Sequence, residues 1–280
     1  VKRLLPLLAF GVLGGISSSA ADVPNAPGAD EAPLMVTNGY GVSGLVLWLA
    51  ADSGVTMDTS NNVISLADRT RNFILKAPSP DQEPTYVPNG LNGKPVLRFN
   101  GAQSLYSPDN FGTDLNRDMT FIIVAKSTSS SIQREEFPLY LGQNATQHAN
   151  RAWAYYEGKD FFDGQFVGFF GEPAIANLFI VSAGSVNSTL TQATFYRNGT
   201  KTMVADLFAP EKNATFADLS EGVTMGAATD PACGWEGDIA EELVYDRQLT
   251  PGEIQTIWFN LSSKYGIPQT PPTPPAATKP

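Results

Sequence analysis

Only one stretch of this chain has the periodicity of a helix, and it closes a sequence otherwise broken into short apolar runs. Ile254, Ile257, Trp258, Leu261 and Tyr265 recur at helical spacing and define one apolar stripe. Thr250 is placed as the N-cap, with Pro251 at the first helical position. Glu253, three residues after the cap, completes a capping box, and Leu249 is placed to staple against Ile254. Lys264 sits where the negative end of the helix dipole favours a cation. Gly266 suits a left-handed C′ position, Ile267 can fold back on Leu261, and Pro268 ends the run. The strand before the helix alternates only loosely. It puts Ile239, Glu241, Leu243 and Tyr245 on one face and Asp238, Ala240, Glu242 and Val244 on the other.

The runs upstream read as strands. GLVLWLA (44–50) is continuously apolar, as expected for a strand covered on both faces, and MTFIIVAKS (119–127) is the clearest strand of all. VISLADRT, PVLRFNG, FPLYLG, RAWAYYEG, QFVGFFG, NLFIVSAGS and GVTMGAA read as shorter ones. ATFYRNGTKTMVA (193–205) predicts a hairpin with Asn198-Gly199 as a type I′ turn. Residues 77–94 carry Pro78, Pro80, Pro84 and Pro88 and read as an irregular crossover. About a dozen short strands with a single helix predict an all-β, two-sheet jelly roll.

GDIAEELVYDRQLTPGE…SSKYGI at the end of the chain resembles the closing segment of LamG-like jelly-roll domains. These form the laminin G/pentraxin-like branch of the concanavalin A-like lectin/glucanase superfamily. GLVLWLAADSGV (44–55), NGKPVLRFNG (92–101) and TFYRNGTK (194–201) match in the expected order, so the resemblance runs from about Gly44 to Ile267. It implies a two-sheet concanavalin A-like jelly-roll sandwich with one short C-terminal helix. The matching motifs are scaffold, so they speak to a fold more than to a function.

Residues 1–21 read as a secretory signal: Lys2 and Arg3, an apolar run from Leu4 to Ile16, then small residues to Ala21. The run is shorter than the ~20 residues of a membrane span, so membrane insertion is not expected. Residues 22–40 read as a flexible leader, 41–267 as the jelly-roll domain, and 268–280 as a Pro/Thr-rich linker or tail to another module or a surface. A domain of roughly 225 residues suits one large sandwich. Cys233 is the only cysteine, so no intrachain disulfide forms and the core must hold by packing. Exported but cysteine-poor chains are typical of bacteria. The formal net charge of −10 argues against nucleic acid or an anionic membrane as partner, and disfavours sulfated or uronic glycans unless a metal intervenes.

A single histidine, His148, excludes a zinc site with several histidine ligands, and no G-x-S-x-G elbow accompanies it. Glu236, Asp238 and Glu241 have the E-x-D-x-x-E spacing of retaining glycoside hydrolases, whose two catalytic carboxyls stand ~5–5.5 Å apart. Here the motif lies on the closing strand, contains Gly237, and coincides with the family's non-catalytic GDIAE. Asp109, Asp114 and Asp118, with Asn110 and Asn116, form an oxygen-rich loop of the kind that suits calcium (Ca2+), and Asp52 and Asp58 a lesser one. The aromatic run from Trp153 to Phe170 fits either core packing or a sugar platform. Trp153 and Tyr155 share a parity that points inward, and Tyr156 points outward. The ligand-binding candidates are Arg151, Trp153, Tyr156, Phe161, Phe162 and Asp163 around the EGKDFFDG loop, and Trp235 beside Cys233.

The expectation is a secreted or cell-surface, non-catalytic carbohydrate-binding (lectin-like) or adhesion module recognising a polysaccharide or glycoconjugate. The alternatives are an endo-glucanase-like retaining glycoside hydrolase using Glu236 and Glu241, and a protein–protein interaction module of a cell-surface assembly.

Overall fold

The structure is a computed structural model. It describes residues 37–71, 74–108, 117–129, 135–142, 150–164, 167–206, 222–228 and 233–269. The expected signal, His148, Asp109 and Asp114 lie outside these residues.

Among the described residues, eighteen strands precede one α-helix. They are β1 (Thr37–Gly39), β2 (Val42–Ala50), β3 (Val55–Met57), β4 (Val63–Ala67), β5 (Ile74–Lys76), β6 (Thr85–Leu91), β7 (Lys94–Asn100), β8 (Leu105–Ser107) and β9 (Met119–Ser127). They continue with β10 (Glu136–Gly142), β11 (Asn150–Tyr156), β12 (Lys159–Gly164), β13 (Val167–Pro173), β14 (Ile180–Val186), β15 (Gln192–Arg197), β16 (Thr200–Asp206), β17 (Val223–Met225) and β18 (Glu236–Tyr245), followed by α1 (Pro251–Tyr265). One sheet runs β1-β2-β18-β9-β14-β15-β16, with β7 and then β6 joined beside the first half of β18. The other runs β13-β12-β11-β10-β17-β8-β5-β4-β3. All strand pairs in both are antiparallel, and the result is the expected two-sheet jelly-roll sandwich.

The sheets close on an interior of Leu47, Leu49, Phe99, Phe121, Trp153, Phe162, Phe195 and Trp235. The outer face of the first sheet is covered by α1, through Val124, Leu243, Tyr245, Ile254, Ile257, Leu261 and Tyr265. That double cover explains why β9 is apolar on both faces. A third apolar cluster, with Phe137, Tyr140 and Phe161, lies on the outer face of the second sheet.

The helix has the expected ends. The Thr250 hydroxyl accepts from the Glu253 N–H, and the Glu253 carboxylate accepts from the Thr250 N–H. Gly266 takes φ 62°, and the Ile267 N–H reaches the Ser262 carbonyl at 3.0 Å, which closes a Schellman turn. Hydrogen bonds from Arg247 (2.6 and 3.0 Å), and then from Thr250, hold the Glu253 carboxyl at about 2. A carboxyl held low contributes stability that is complete above about pH 4.3, the ordinary value, and is lost as pH falls toward 2. Thr250→Ala is expected to cost about 1 kcal/mol, read as a shift in the urea midpoint, because an N-cap hydroxyl is lost.

Four local expectations are corrected. Residues 37–39, assigned to the leader, form β1 on the edge of the first sheet. Residues 85–91, read as crossover, form β6. It tolerates Pro88 because β7 is its only partner strand and the register between them breaks from Val87 to Leu91. EGKDFFDG is not a loop: Glu157 (φ 48°) and Gly158 (φ 72°) make a two-residue turn and 159–164 is strand β12. Most consequentially, β18 carries a bulge. Ile239 pairs with Ala125 and Glu241 with Val124, so Ala240 is extra and the facing pattern changes hand. Ile239 and Val244 point into the sandwich, whereas Leu243 and Tyr245 point to the helix. Glu242 therefore faces inward with Val244, and Glu241 faces α1.

Candidate functional site

The outer face of the second sheet is free of α1, and a row of outward residues crosses it. Ala152 on β11 pairs with Tyr140 on β10, Tyr140 with Thr224 on β17, Thr224 with Tyr106 on β8, and Tyr106 with Lys76 on β5. Thr224 and Tyr106 form the floor of a cleft of about 300 Å3. One wall is Pro78 and Gln82 together with residues 101–104; the other includes Ala227 and Ala228.

These walls are pinned by hydrogen bonds. The Gln103 amide donates to the Glu83 carbonyl (2.7 Å), and its oxygen accepts from the Asn100 N–H (3.0 Å). The Ala102 N–H is taken by the Asn100 side chain (3.1 Å) and the Ser104 N–H by the Gln82 carbonyl (3.1 Å). Opposite, the Gly226 N–H reaches Pro138 (2.7 Å), Trp235 reaches Gly226 (2.8 Å) and Gly101 reaches Trp235 (2.8 Å). The cleft thus sets one phenol ring between walls fixed by their own hydrogen bonds. No charged side chain is among Pro78, Gln82, Gly101, Ala102, Gln103, Ser104, Tyr106, Thr224, Ala227 and Ala228.

The residues singled out from the sequence fall elsewhere. Trp153, Phe162 and Trp235 are core residues, at 1 %, 1 % and 0 % exposure. Trp153 lies against Gly184, where a Cβ would overlap its ring, and Trp235 packs on Tyr155 at 5.3 Å. A ring with no exposed surface cannot stack on a sugar, so these three are corrected to scaffold. Arg151 is also fully buried and is not presented to solvent. Phe161, a ligand candidate, points outward, yet it is buried against Phe170 (4.9 Å) and Tyr156 (5.4 Å). Tyr156 and Asp163 keep partial exposure on that face. Asp160, on the same strand, is buried and salt-bridged to Arg197 at 2.6 Å; burial outweighs that partner and pushes its carboxyl up to about 6.

The acidic trio does not form a hydrolytic centre. The bulge brings Asp238 and Glu241 to the same face of β18, but both carboxylates are consumed. Asp238 is paired with Arg98 (2.6 Å) and Lys126 (2.8 Å); against burial, these hydrogen bonds hold it below the usual carboxylate range. Glu241 is fully buried beneath α1 and accepts from Tyr40, Trp48, Lys264 and Tyr265. Only Glu236 is partly exposed. Gly237 is required there, since a Cβ would overlap the Lys126 carbonyl.

Of the calcium candidates, Asp118 accepts from the Ser188 N–H at 2.7 Å. Asp58 closes its own turn by accepting from Ser60 and Asn62, and Asp52 pairs with Lys264 at 3.0 Å. Among the described residues no helix is long and apolar enough to cross a membrane.

The cleft went unnoticed in the sequence because its lining comes from residues 78–82, 101–106 and 224–228, which only the sheet order β17-β8-β5 brings together. The one local signal is the Asn100-Gly101 pair, a turn sequence at the end of PVLRFNG.

Fold and cleft together define a jelly-roll sandwich with a recess on the sheet that α1 does not cover, lined among the described residues by uncharged side chains. Domain 4 of AbnA, a GH43 extracellular arabinanase from Geobacillus stearothermophilus, solved in complex with arabinotriose, matches with a TM-score of 0.54 and 17% identity over 76% of this chain and 97% of its own. Trypanosoma rangeli sialidase matches with a TM-score of 0.53 and 16% identity over 80% of this chain and 34% of its own. The binding domain of Paraclostridial Mosquitocidal Protein 1 matches with a TM-score of 0.53 and 14% identity over 78% of this chain and 52% of its own. This chain thus spans about a third of the sialidase and half of the mosquitocidal binding domain. At these identities the likeness is one of fold. No protein-family model matches the sequence, and neither does any curated protein.

Proposed function

We propose that this chain is an exported, non-catalytic carbohydrate-binding module of LamG-like kinship, which holds a polysaccharide in the cleft floored by Tyr106 and Thr224. The observation that carries the reading is the chemistry of that cleft: amide- and hydroxyl-bearing residues and one aromatic ring on pinned walls, with no charged side chain among the described lining residues. Sugars present hydroxyls around apolar C–H faces, and such a lining answers both. The shared fold with an arabinanase domain solved with arabinotriose supports the reading. So does the commitment of Asp238 and Glu241 to ion pairs and the helix, which leaves that pair unfit for glycoside hydrolysis. On this reading the segment 268–280 tethers the module to a neighbour or a surface.

The test is retention of the full chain on insoluble polysaccharides, arabinan among them, with reducing-sugar release measured in the same incubations. Retention without release is expected, and Tyr106→Ala is expected to weaken it about tenfold or more by removing the ring from the floor. Because the described lining residues include no carboxylate, EDTA is expected to leave retention unchanged. Calcium held by Asp109, Asp114 and Asp118 and needed for binding would show as its loss. Sugar release, or no retention on any polysaccharide, would overturn the proposal.

A further inference from the structure

We infer that Gln82 is the residue of the cleft that hydrogen-bonds a sugar hydroxyl, with Ser79 orienting its amide; this rests on the carbohydrate-binding reading above. Two amide side chains, Gln82 and Gln103, are among the residues that line the cleft. The Gln103 amide is held at both ends, its nitrogen by the Glu83 carbonyl at 2.7 Å and its oxygen by the Asn100 N–H at 3.0 Å. Gln82 differs. Its Oε1 accepts from the Ser79 hydroxyl at 2.9 Å, and its Nε2 has no hydrogen-bond partner among the described residues. Gln82 is only half-buried and Nε2 is not enclosed, so a ligand can reach it.

The backbone under this side chain is fixed. Pro80 opens the 3-10 turn Pro80–Gln82, the Gln82 N–H reaches the Ser79 carbonyl at 3.0 Å, and the Gln82 carbonyl accepts from the Ser104 N–H at 3.1 Å. Ser79 is the N-cap of the turn, where a serine hydroxyl ordinarily accepts from a backbone N–H. Here it makes no such bond and turns to the Gln82 side chain instead. The same hydroxyl lies beside the Asp81 carboxylate and holds it below the usual range, but Asp81 is exposed and not among the described lining residues. A glutamine held at its backbone and at one half of its amide presents the other half at a set place, with little side-chain freedom left to lose on binding. A hydroxyl is both donor and acceptor, so a sugar answers Nε2 as placed and would equally answer the oxygen were the amide turned over. The Tyr106 ring in the same cleft supplies the apolar surface for a sugar's C–H face. A volume of about 300 Å3 lies at the low end of small-molecule sites and suits one or two sugar units.

The experiment uses the full chain in four forms: unsubstituted, Gln82→Met, Ser79→Ala and the two substitutions combined. Calorimetric titrations use arabino-, xylo-, gluco- and manno-oligosaccharides, and then monodeoxy derivatives of the one bound best. Methionine keeps the length of the side chain and removes only the amide, so Gln82→Met is expected to bind about five- to tenfold more weakly. Its melting temperature is expected to stay within about 1 °C, because the substitution lies outside the core. Ser79→Ala is expected to weaken binding about two- to threefold by freeing the amide. The combined form is expected to bind like Gln82→Met alone, since Ser79 acts through Gln82. One monodeoxy derivative is expected to lose affinity for the unsubstituted chain but not for Gln82→Met. Equal binding by Gln82→Met and the unsubstituted chain would overturn the inference and leave the carbohydrate-binding reading standing. Weaker binding matched by a fall in melting temperature of several degrees, with every deoxy derivative affected alike, would also overturn it, as the pattern of a structural role. Additive losses in the combined form would overturn the role of Ser79. Failure of the unsubstituted chain to bind any oligosaccharide of the panel would sink the carbohydrate reading itself.

Discussion

Glu241→Ala is expected to destabilise the domain by about 3–5 kcal/mol, the range for breaking a buried ion pair from one side. Glu241 is completely buried between β18 and α1. Its Oε1 accepts from the Tyr40 hydroxyl (2.7 Å) and the Trp48 indole N–H (2.5 Å). Its Oε2 accepts from the Lys264 ammonium (2.7 Å) and the Tyr265 hydroxyl (2.7 Å). Burial, followed by this carboxylate, pushes both phenols far above their ordinary range, so each stays a donor. One side chain thus ties together the turn after β1, strand β2, the closing strand and the last turn of the helix. Alanine would leave Tyr40 and Trp48 without this acceptor, with Lys264 retaining Asp52 at 3.0 Å and Tyr265 a long contact to the Ala240 carbonyl at 3.4 Å. For a domain of this size the loss corresponds to a fall in melting temperature of about 10 °C, measurable by circular dichroism. Glu241→Met with Lys264→Met is expected to recover only the part due to the unpaired ammonium, because Tyr40, Trp48 and Tyr265 still lose the carboxylate they donate to. A melting temperature unchanged by Glu241→Ala would show that the network does not hold the helix to the sheet.

The adjacent residue should behave in the opposite sense. Glu242 faces the sandwich interior, fully buried, and neither carboxylate oxygen has a hydrogen-bond partner. Burial alone pushes its carboxyl well above the ordinary value, so it is neutral over a range where the unfolded chain is already ionised. The native state then holds a proton that the unfolded state has released, and stability falls as pH rises from about 4.3 toward the folded-state value. Glu242→Met keeps the volume and removes the polar atoms, so it is expected to add about 1–3 kcal/mol at neutral pH. It should also remove this part of the pH slope, as read by urea unfolding at pH 5 and pH 8. A loss of stability at pH 8, or an unchanged slope, would mean that the carboxyl is accommodated inside the core.

The contrast between these two neighbours marks where sequence reading works and where it stops. The helix was legible to the residue, because Thr250, Glu253 and Gly266 act through local backbone geometry. The Asn198-Gly199 hairpin was legible for the same reason, both residues having positive φ. Strand β9 was legible because a run covered on both faces has no alternation to misread. The bulge at Ala240 was not legible. A single unpaired residue is set by how β18 fits between β2, β7 and β9, and it reverses the facing of everything after it. The Glu157-Gly158 turn was hidden by a glutamate at a position that usually takes asparagine or aspartate. For the aromatic run, alternation put Trp153 and Tyr155 inward and Tyr156 outward correctly. It could not tell that Phe161, also outward, would be covered by its own neighbours. The cleft is the extreme case, since none of its three segments is unusual by itself and the site exists only through their pairing.

The most direct measurement is a heteronuclear NMR titration of the 15N-labelled chain with a neutral oligosaccharide that the polysaccharide screen selects. Shifts concentrated at the amides of Ala102, Gln103, Ser104, Tyr106, Thr224 and Ala227, and weakened in Tyr106→Ala, are the expected result. Shifts centred instead on the Tyr156–Asp163 face, on Glu236, or on the exposed side of α1 would contradict the placement of the binding site in this cleft.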